Sequence, residues 1–347
     1  MQASNAPGKI QKPFADNGDK QAIPVASQIG VADGRASYTD GFPPLTRTPI
    51  VAGGVPPFGT DMNGVLNAIT AILQWQSAGG TFKFDAAFAT AIGGYPKGAN
   101  LQKADGSGTW LCTVENNTAN PDTGGAGWQD FSAGRLIGVQ NFAASGSYTY
   151  TPTAGTKSVV VEVQGAGGSG GGTAATSAGQ AAIGGGGGAG AYAKGRFTSG
   201  FSGVTITVGL GGAQTAAGNN NGNAGGTSSF GSLITAAGGG GGQGGGAGSS
   251  FPFASGGGSG AGNPTGGIIN IGGANGIQPI ALAANVVIAS YGAPSTIGKG
   301  GLAFPTSGNG GPGLSGAGGG GACAGGVQPA FFGGNGGSGQ VTIWEYA

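Results

Sequence analysis

Glycine tracts decide what this chain can fold into. GAGGSGGG (165–172), GGGGGAG (184–190), GGGGGQGGGAG (238–248) and GAGGGG (316–321) punctuate its second half. Ordering glycine costs more backbone entropy than ordering any other residue. A folded protein keeps such tracts only where geometry demands them. Collagen's strict glycine at every third position, with abundant proline, is broken here. The tracts are also tied down at both ends. The apolar stretch QVTIWEYA (340–347) follows all of them and must return to the first strands to be buried. Two readings satisfy this. Either the tracts are extended helices of three residues per turn that pack side by side and bond through N–H and C=O, or they are mobile loops on a β-sandwich. A phosphate-binding loop is not among the readings. No tract contains GxxxxGK[ST], and Gly-x-Gly-x-x-Gly is expected by chance in so glycine-rich a sequence.

The composition divides the chain. Of 86 glycines, 21 precede residue 141 and 65 follow, whereas nine of the 13 Lys/Arg and ten of the 12 Asp/Glu precede it. Only Lys157, Lys194, Arg196, Lys299, Glu162 and Glu345 carry charge beyond. A boundary is therefore expected around Gly134–Asn141, giving an irregular arm over 1–55, an α+β region over 56–135 and a glycine-rich β domain over 136–347. Charged residues are 7 % and apolar residues 38 %, the reverse of a disordered, solvating chain. With a net charge of +1 and no basic run, nothing marks a nucleic-acid or anionic-membrane partner. No apolar run reaches the ~20 residues of a membrane span, and the N-terminus lacks the apolar core of a secretory signal. Cys112 and Cys323 read as free thiols. The absence of histidine removes Ser-His-Asp and Cys-His catalysis and every imidazole metal site. No cofactor or metal is expected.

In the first half, proline and glycine interrupt the arm up to about residue 55, which would have little core alone and is expected against neighbouring subunits or a larger assembly. A helix capped by Thr60 or Asp61 then carries Met62, Val65, Leu66, Ile69, Ile72 and Leu73 at helical spacing and stops at Gly79-Gly80. Its stripe is either an intradomain core or a seam between subunits. Asp85 caps a short helix stopped by Gly93-Gly94. ANLQK and TWLCTVEN form a hairpin around Asp105–Gly108. In the second half the expected strands are 147–152, 157–165, 191–197, 203–209, 227–235 and 340–347. The fold class is mainly β, with a small α+β region ahead of a glycine-rich, β-sandwich-like domain.

The stretch PIVAGGVPPFGTDMNGVLNAITAILQWQSAGGTFKFDAAFATAIGGYPKGANLQ, with TVENNTANPDTGGAGW after it, resembles the N-terminal regions of tail-fibre proteins of tailed bacteriophages, over roughly residues 40–130. The order YTPTAGTKSVVVEVQGAGG, GGGGGAGAYAKG, VTITVGLGG, GGTSSFG and GGSGQVTIWEY over 147–347 resembles the glycine-rich C-terminal domain of many phage fibres. The segment 263–299 departs from that pattern. The resemblance implies a non-enzymatic, homotrimeric virion component made without a signal peptide. Its N-terminal region would fasten to tail-tip or baseplate proteins, with Met62, Leu66, Ile69 and Leu73 at trimer or tail contacts. Its C-terminal domain would meet a bacterial receptor, whether glycan, pilus or outer-membrane protein. The alternatives are a structural connector carrying a separate adhesin and a polysaccharide-depolymerising tailspike.

A glycine scaffold offers no side chains for discrimination, so receptor contact is expected from aromatics between the tracts: Phe251, Phe253, Tyr291, Phe304, Phe331 and Phe332. Tyr95, Trp110 and Trp128 are laid out either as a small sugar-binding module or as a structural core. A glycosidase needs two facing carboxyl groups. The second half offers only Glu162 and Glu345, which would be neighbours if their strands paired and otherwise read as solvent-facing strand residues.

Overall fold

Hydrogen-bonding needs shape the first unit of the computed structural model, which describes residues 6–288 and 290–347; residues 1–5 of the expected arm and Ala289 of the 263–299 segment lie outside the described residues. This unit runs to Ser132. Its arm is irregular apart from 3-10 turns at Pro44–Arg47 and Ile50–Ala52. With Val25, Val31 and Val51 still exposed, it lies along helix α1 (Gly59–Ser77) of its own chain. The reason is a ladder of polar side chains. Asn63, Asn67 and Gln74 donate to the carbonyls of Asp19, Phe14 and Gln11 at 2.7, 2.7 and 2.6 Å, and Thr70 Oγ1 accepts from Phe14 N–H at 2.8 Å. Neither Thr60 nor Asp61 caps the helix. Phe58 is the N-cap, without a side-chain bond. Asp61 is buried inside the first turn, where it accepts from Ala36 N–H at 2.7 Å and pairs with Arg35 at 3.1 Å.

Helix α2 (Ala86–Ile92) starts at Asp85, whose carboxylate accepts from Phe88 N–H at 2.9 Å, and ends at Gly93 in the left-handed conformation. Strands β1 (Asn100–Gln102), β2 (Thr109–Cys112) and β3 (Trp128–Asp130) form one antiparallel sheet. The expected hairpin at Asp105–Gly108 is its first turn.

The second unit, Ala133–Ala347, begins with β4 (Leu136–Phe142), a strand inside the stretch read as a boundary. Next come β5 (Gly146–Thr149), β6 (Ser158–Gln164), β7 (Ala181–Ile183), β8 (Tyr192–Phe197), β9 (Thr205–Val208), β10 (Ser228–Phe230) and β11 (Ile234–Ala236). Then follow β12 (Phe253–Ala254), β13 (Ile269–Ile271), β14 (Ile280–Ala283), β15 (Val286–Ile288), β16 (Cys323–Gly325) and β17 (Gln340–Tyr346). The single strand expected over 227–235 is a hairpin, because Gly231 takes φ +53° and turns the chain.

Sheets β13-β8-β6-β17-β4 and β11-β10-β9-β5 face each other as a sandwich. Val159, Val161 and Val163 of β6 and Val341 and Ile343 of β17 meet Ile206, Val208, Phe230 and Ile234 in a buried core. The alternation of these strands produces that face. As the tract argument requires, the last strand, β17, lies between β6 and β4.

Beyond the sandwich the glycine tracts form a lattice of extended helices. Residues 165–173 are its clearest member. Gly165, Gly168 and Gly171 donate to Ala191, Gly188 and Gly185; Ala166, Ser169 and Gly172 donate to Gly226, Asn223 and Asn220; Gly167, Gly170 and Thr173 donate to Gly337, Gly334 and Phe331. Each third residue thus faces the same neighbour, which is the three-per-turn geometry of a polyproline-type helix. The carbonyls repeat the pattern toward three more segments. Ala166, Ser169 and Gly172 accept from Gly239, Gly242 and Gly245, Gly168 and Gly171 from Gly319 and Ala322, and Gly167 from Gly212. Among the described residues, none of 165–172, 184–190 or 238–248 has positive φ. Close approach, not turning, is what these tract glycines supply. A Cβ built on Gly170 would stand 2.0 Å from the carbonyl oxygen of Gly320. Bonds between neighbouring segments of the chain meet the polar groups that a helix without internal bonds leaves open.

Candidate functional site

The lattice sorts its connections. At one end its helices run into the sandwich strands β6 and β8. At the other end they are joined by loops, and these bind one another. Thr173 bridges Phe331 and Gly245, Thr176 bridges Gln328, Ala181 bridges Gly248 and Gly308 bridges Cys323. β7 pairs with β16, and β12-β14-β15 make a small sheet. A second core fills the space between them: Ala181, Ile183, Ala281, Val287 and Cys323, with Phe251 and Phe253 packed on it. Burial pushes the Cys323 thiol up to about 11, so it is a protonated donor, bonded to Phe304 O at 2.9 Å.

The aromatic residues expected to meet a receptor therefore share this loop end, in unequal roles. Phe251 and Phe253 stack with ring centres 5.6 Å apart and are partly buried. Phe331 and Phe332 are half-buried, next to bonds that tie their backbone to Thr173 and Asn309. Tyr291 and Phe304 are exposed, at 47 % and 52 %. A larger apolar surface lies where no aromatic marked it. Ile280, Leu282, Val286 and Ile288 on the outer face of the β14–β15 hairpin are each 39–53 % exposed, while Ala281 and Val287 point into the core. The alternation in PIALAANVVI carried this information. Its Ala284-Asn285 turn lacks the glycine that marks most tight hairpins.

In the first unit the α1 stripe is not an intradomain core. Met62, Ile69 and Leu73 are 44–50 % exposed and Leu66 is half-buried. The arm covers the adjacent polar face instead. Tyr95 and Trp128 pack with Phe84 in a small core, their ring centres 5.8 Å apart, and the indoles of Trp128 and Trp110 donate to Ala119 O and Asp122. Of the two layouts for this segment, the structural core is the one formed.

Strands β6 and β17 do pair, but Glu162 and Glu345 are not neighbours. Glu345 lies opposite Val159 and points into the sandwich, whereas Glu162 lies opposite Thr342 on the outer face. Nor is Glu345 solvent-facing. Fully buried, it accepts from Tyr150 Oη at 2.7 Å, Thr153 N–H at 3.0 Å, Thr153 Oγ1 at 2.6 Å and Gln140 at 3.0 Å. Burial alone pushes this carboxyl up; the bonds from Thr153, Tyr150 and Gln140 outweigh it and hold the group below its ordinary value. The same burial, with Glu345 beside it, pushes the Tyr150 hydroxyl up, so it stays a donor. This is a structural anchor for the last strand.

Comparison with known families gives one finding. A family model described as a glycine-rich domain matches residues 141–346, which takes in the sandwich apart from most of β4, the lattice and its loop end. No curated protein matches the chain.

Proposed function

The chain belongs to the glycine-rich domain family, whose model covers more than half of it, and from that premise we propose that it is a phage tail-fibre component that fastens to the tail through its first unit and recognises the host cell through the loop end of its second. One observation carries the reading. The lattice ties six or more backbone segments into a rigid block and gathers at one end the loops whose side chains vary in character, with Tyr291, Phe304 and the Ile280–Ile288 hairpin face exposed there. Contiguous exposed apolar surface on a soluble protein marks an interaction site. The order of sequence words over 40–130 and 147–347 supports the tail-fibre assignment. The exposed stripe Met62, Ile69 and Leu73 on α1 supports a homotrimer, because such a stripe is covered when copies associate. Supporting a non-enzymatic role, the two carboxylates that could have served a glycosidase stand on opposite faces of a sheet.

The working site of the fibre is then the virion, its partners being tail-tip or baseplate proteins and a bacterial surface receptor. A chain lacking residues 1–135 is expected to bind susceptible cells yet fail to join virions. Incorporation equal to that of the full chain would overturn this polarity.

A further inference from the structure

The outer face of the five-stranded sheet carries Glu162, Lys194 and Arg196, half of the six charged residues beyond residue 141, and the loop end does not use them. Register places its side chains in rows. Asn141, Thr342, Glu162, Lys194 and Ile269 form one row; Gln340, Gln164, Tyr192 and Ile271 form the next; Trp344 lies one step further along β17, opposite Val160. Ile297, from the loop after the hairpin, overhangs the first two rows. Between them is a cavity of about 130 Å³ lined by Glu162, Gln164, Tyr192, Ile297, Gln340 and Thr342.

The polar groups of this cavity are organised. Lys194 Nζ is 2.9 Å from Glu162 and 5.5 Å from the centre of the Trp344 ring. The Tyr192 hydroxyl bonds to Glu162 and is pushed up to about 12 by burial and by that carboxylate, so it remains a neutral donor. Thr342 Oγ1 and Gln340 Nε2 converge on Asn141 Oδ1 at 3.1 and 3.0 Å. Gln164 is 1 % exposed, and its amide nitrogen donates to the carbonyls of Gly165, Gly190 and Ala191 at 2.9–3.1 Å. Those bonds fix which way the amide points and leave Oε1, a buried acceptor, without a partner. An unpaired buried acceptor is costly and calls for a donor.

We infer that this outer sheet face is a binding site for a single neutral sugar residue of a surface glycan. At about 130 Å³ the cavity is of a size to take the hydroxylated edge of one ring. Lys194 already neutralises Glu162, which disfavours an ionic ligand. Amide, hydroxyl and carboxylate groups fixed by mutual bonds are matched to hydroxyls that both donate and accept. Ile297 and the Tyr192 ring in the lining offer apolar contact for the other side of the ring. Because the site is built on strands away from the loop end, it and the host-recognition reading can fail separately.

The test is binding of the full-length protein to an array of bacterial surface polysaccharides together with free hexoses and N-acetylhexosamines, followed by titration calorimetry on the best hit. Saturable binding to at least one neutral saccharide is expected. Thr342→Val and Glu162→Gln should each weaken it by about tenfold or more with the melting temperature unchanged. Phe304→Ala, at the loop end, should bind the saccharide as the wild type does. Thr342→Val keeps the side-chain shape, so it serves even if Glu162→Gln misfolds. The inference is overturned if no saccharide binds, if only anionic ones do, or if Thr342→Val binds with wild-type affinity. Saccharide binding without any cell binding would leave this site standing and overturn the host-recognition reading instead.

Discussion

Gly168 donates its N–H to the carbonyl of Gly188 at 2.9 Å, and a Cβ on the adjacent Gly187 would lie 2.1 Å from the oxygen of Gly168. The two helices touch backbone to backbone, so bond and close approach come as one feature.

Gly187→Ala should therefore destabilise the second unit by about 3 kcal/mol or more, because neither partner is a flexible side chain that could move aside. Gly262 is the control. A Cβ there would meet nothing within 4 Å, and its φ is not positive. Gly262→Ala should be neutral or stabilising by about 0.4–1 kcal/mol, by reducing the freedom of the unfolded chain. Thermal melts of the pair check this; equal melting temperatures would count against the lattice.

Glu345 gives a pH dependence of known sign. Its folded carboxyl lies below the ordinary value, so the stability it contributes is present above the unfolded pKa and is lost as pH falls through the folded one, in the acid range below that of an ordinary glutamate. Glu345→Ala should cost about 2–4 kcal/mol at neutral pH, by leaving the Tyr150 hydroxyl and Thr153 amide buried without their acceptor. The variant's disadvantage should shrink as the pH is lowered. Parallel denaturant titrations at neutral and acid pH measure this difference.

The α1 stripe makes assembly testable. The wild-type chain should be a homotrimer by light scattering at micromolar concentration. Ile69→Glu with Leu73→Glu should yield monomers whose second unit melts as before. A monomeric wild type would contradict the trimer directly.

Much of this architecture was legible in the sequence. Val159, Val161 and Val163 alternate as a half-buried strand must, and β17 had to return because nothing else could cover its apolar face. The parity of QVTIWEY even places Glu345 on the same side as Val341 and Ile343, so its burial could have been read from the pattern. Other features were not legible. The tracts are near-identical in composition, so no local signal says that Gly170 bonds Gly334 while Gly171 bonds Gly185. Phe251 and Phe253 looked like receptor anchors because aromatics between glycines have no sequence-local partner; their partners, Ala281 and Val287, come from a hairpin some thirty residues on. The saccharide cavity needs Gln164, Tyr192 and Gln340 side by side, and only the sheet order brings them together.

At the loop end, few charges are available, so attachment there should change little between low and high salt, since screening acts on charges. Cell binding measured across an ionic-strength series checks this. A steep loss with salt would point to ion pairs that this surface does not carry.

The most direct test of host recognition is saturation binding of the labelled full-length protein to susceptible bacteria, for the wild type and for a Tyr291→Ala/Phe304→Ala double variant, with melting curves alongside. Both side chains are exposed and outside the second core, so the variant should fold normally. If either is an anchor, its loss should cost roughly 2 kcal/mol, and multivalent attachment should deepen the loss. The account predicts that binding falls by at least about 30-fold at unchanged melting temperature. Undiminished binding by a variant that melts like the wild type would contradict it.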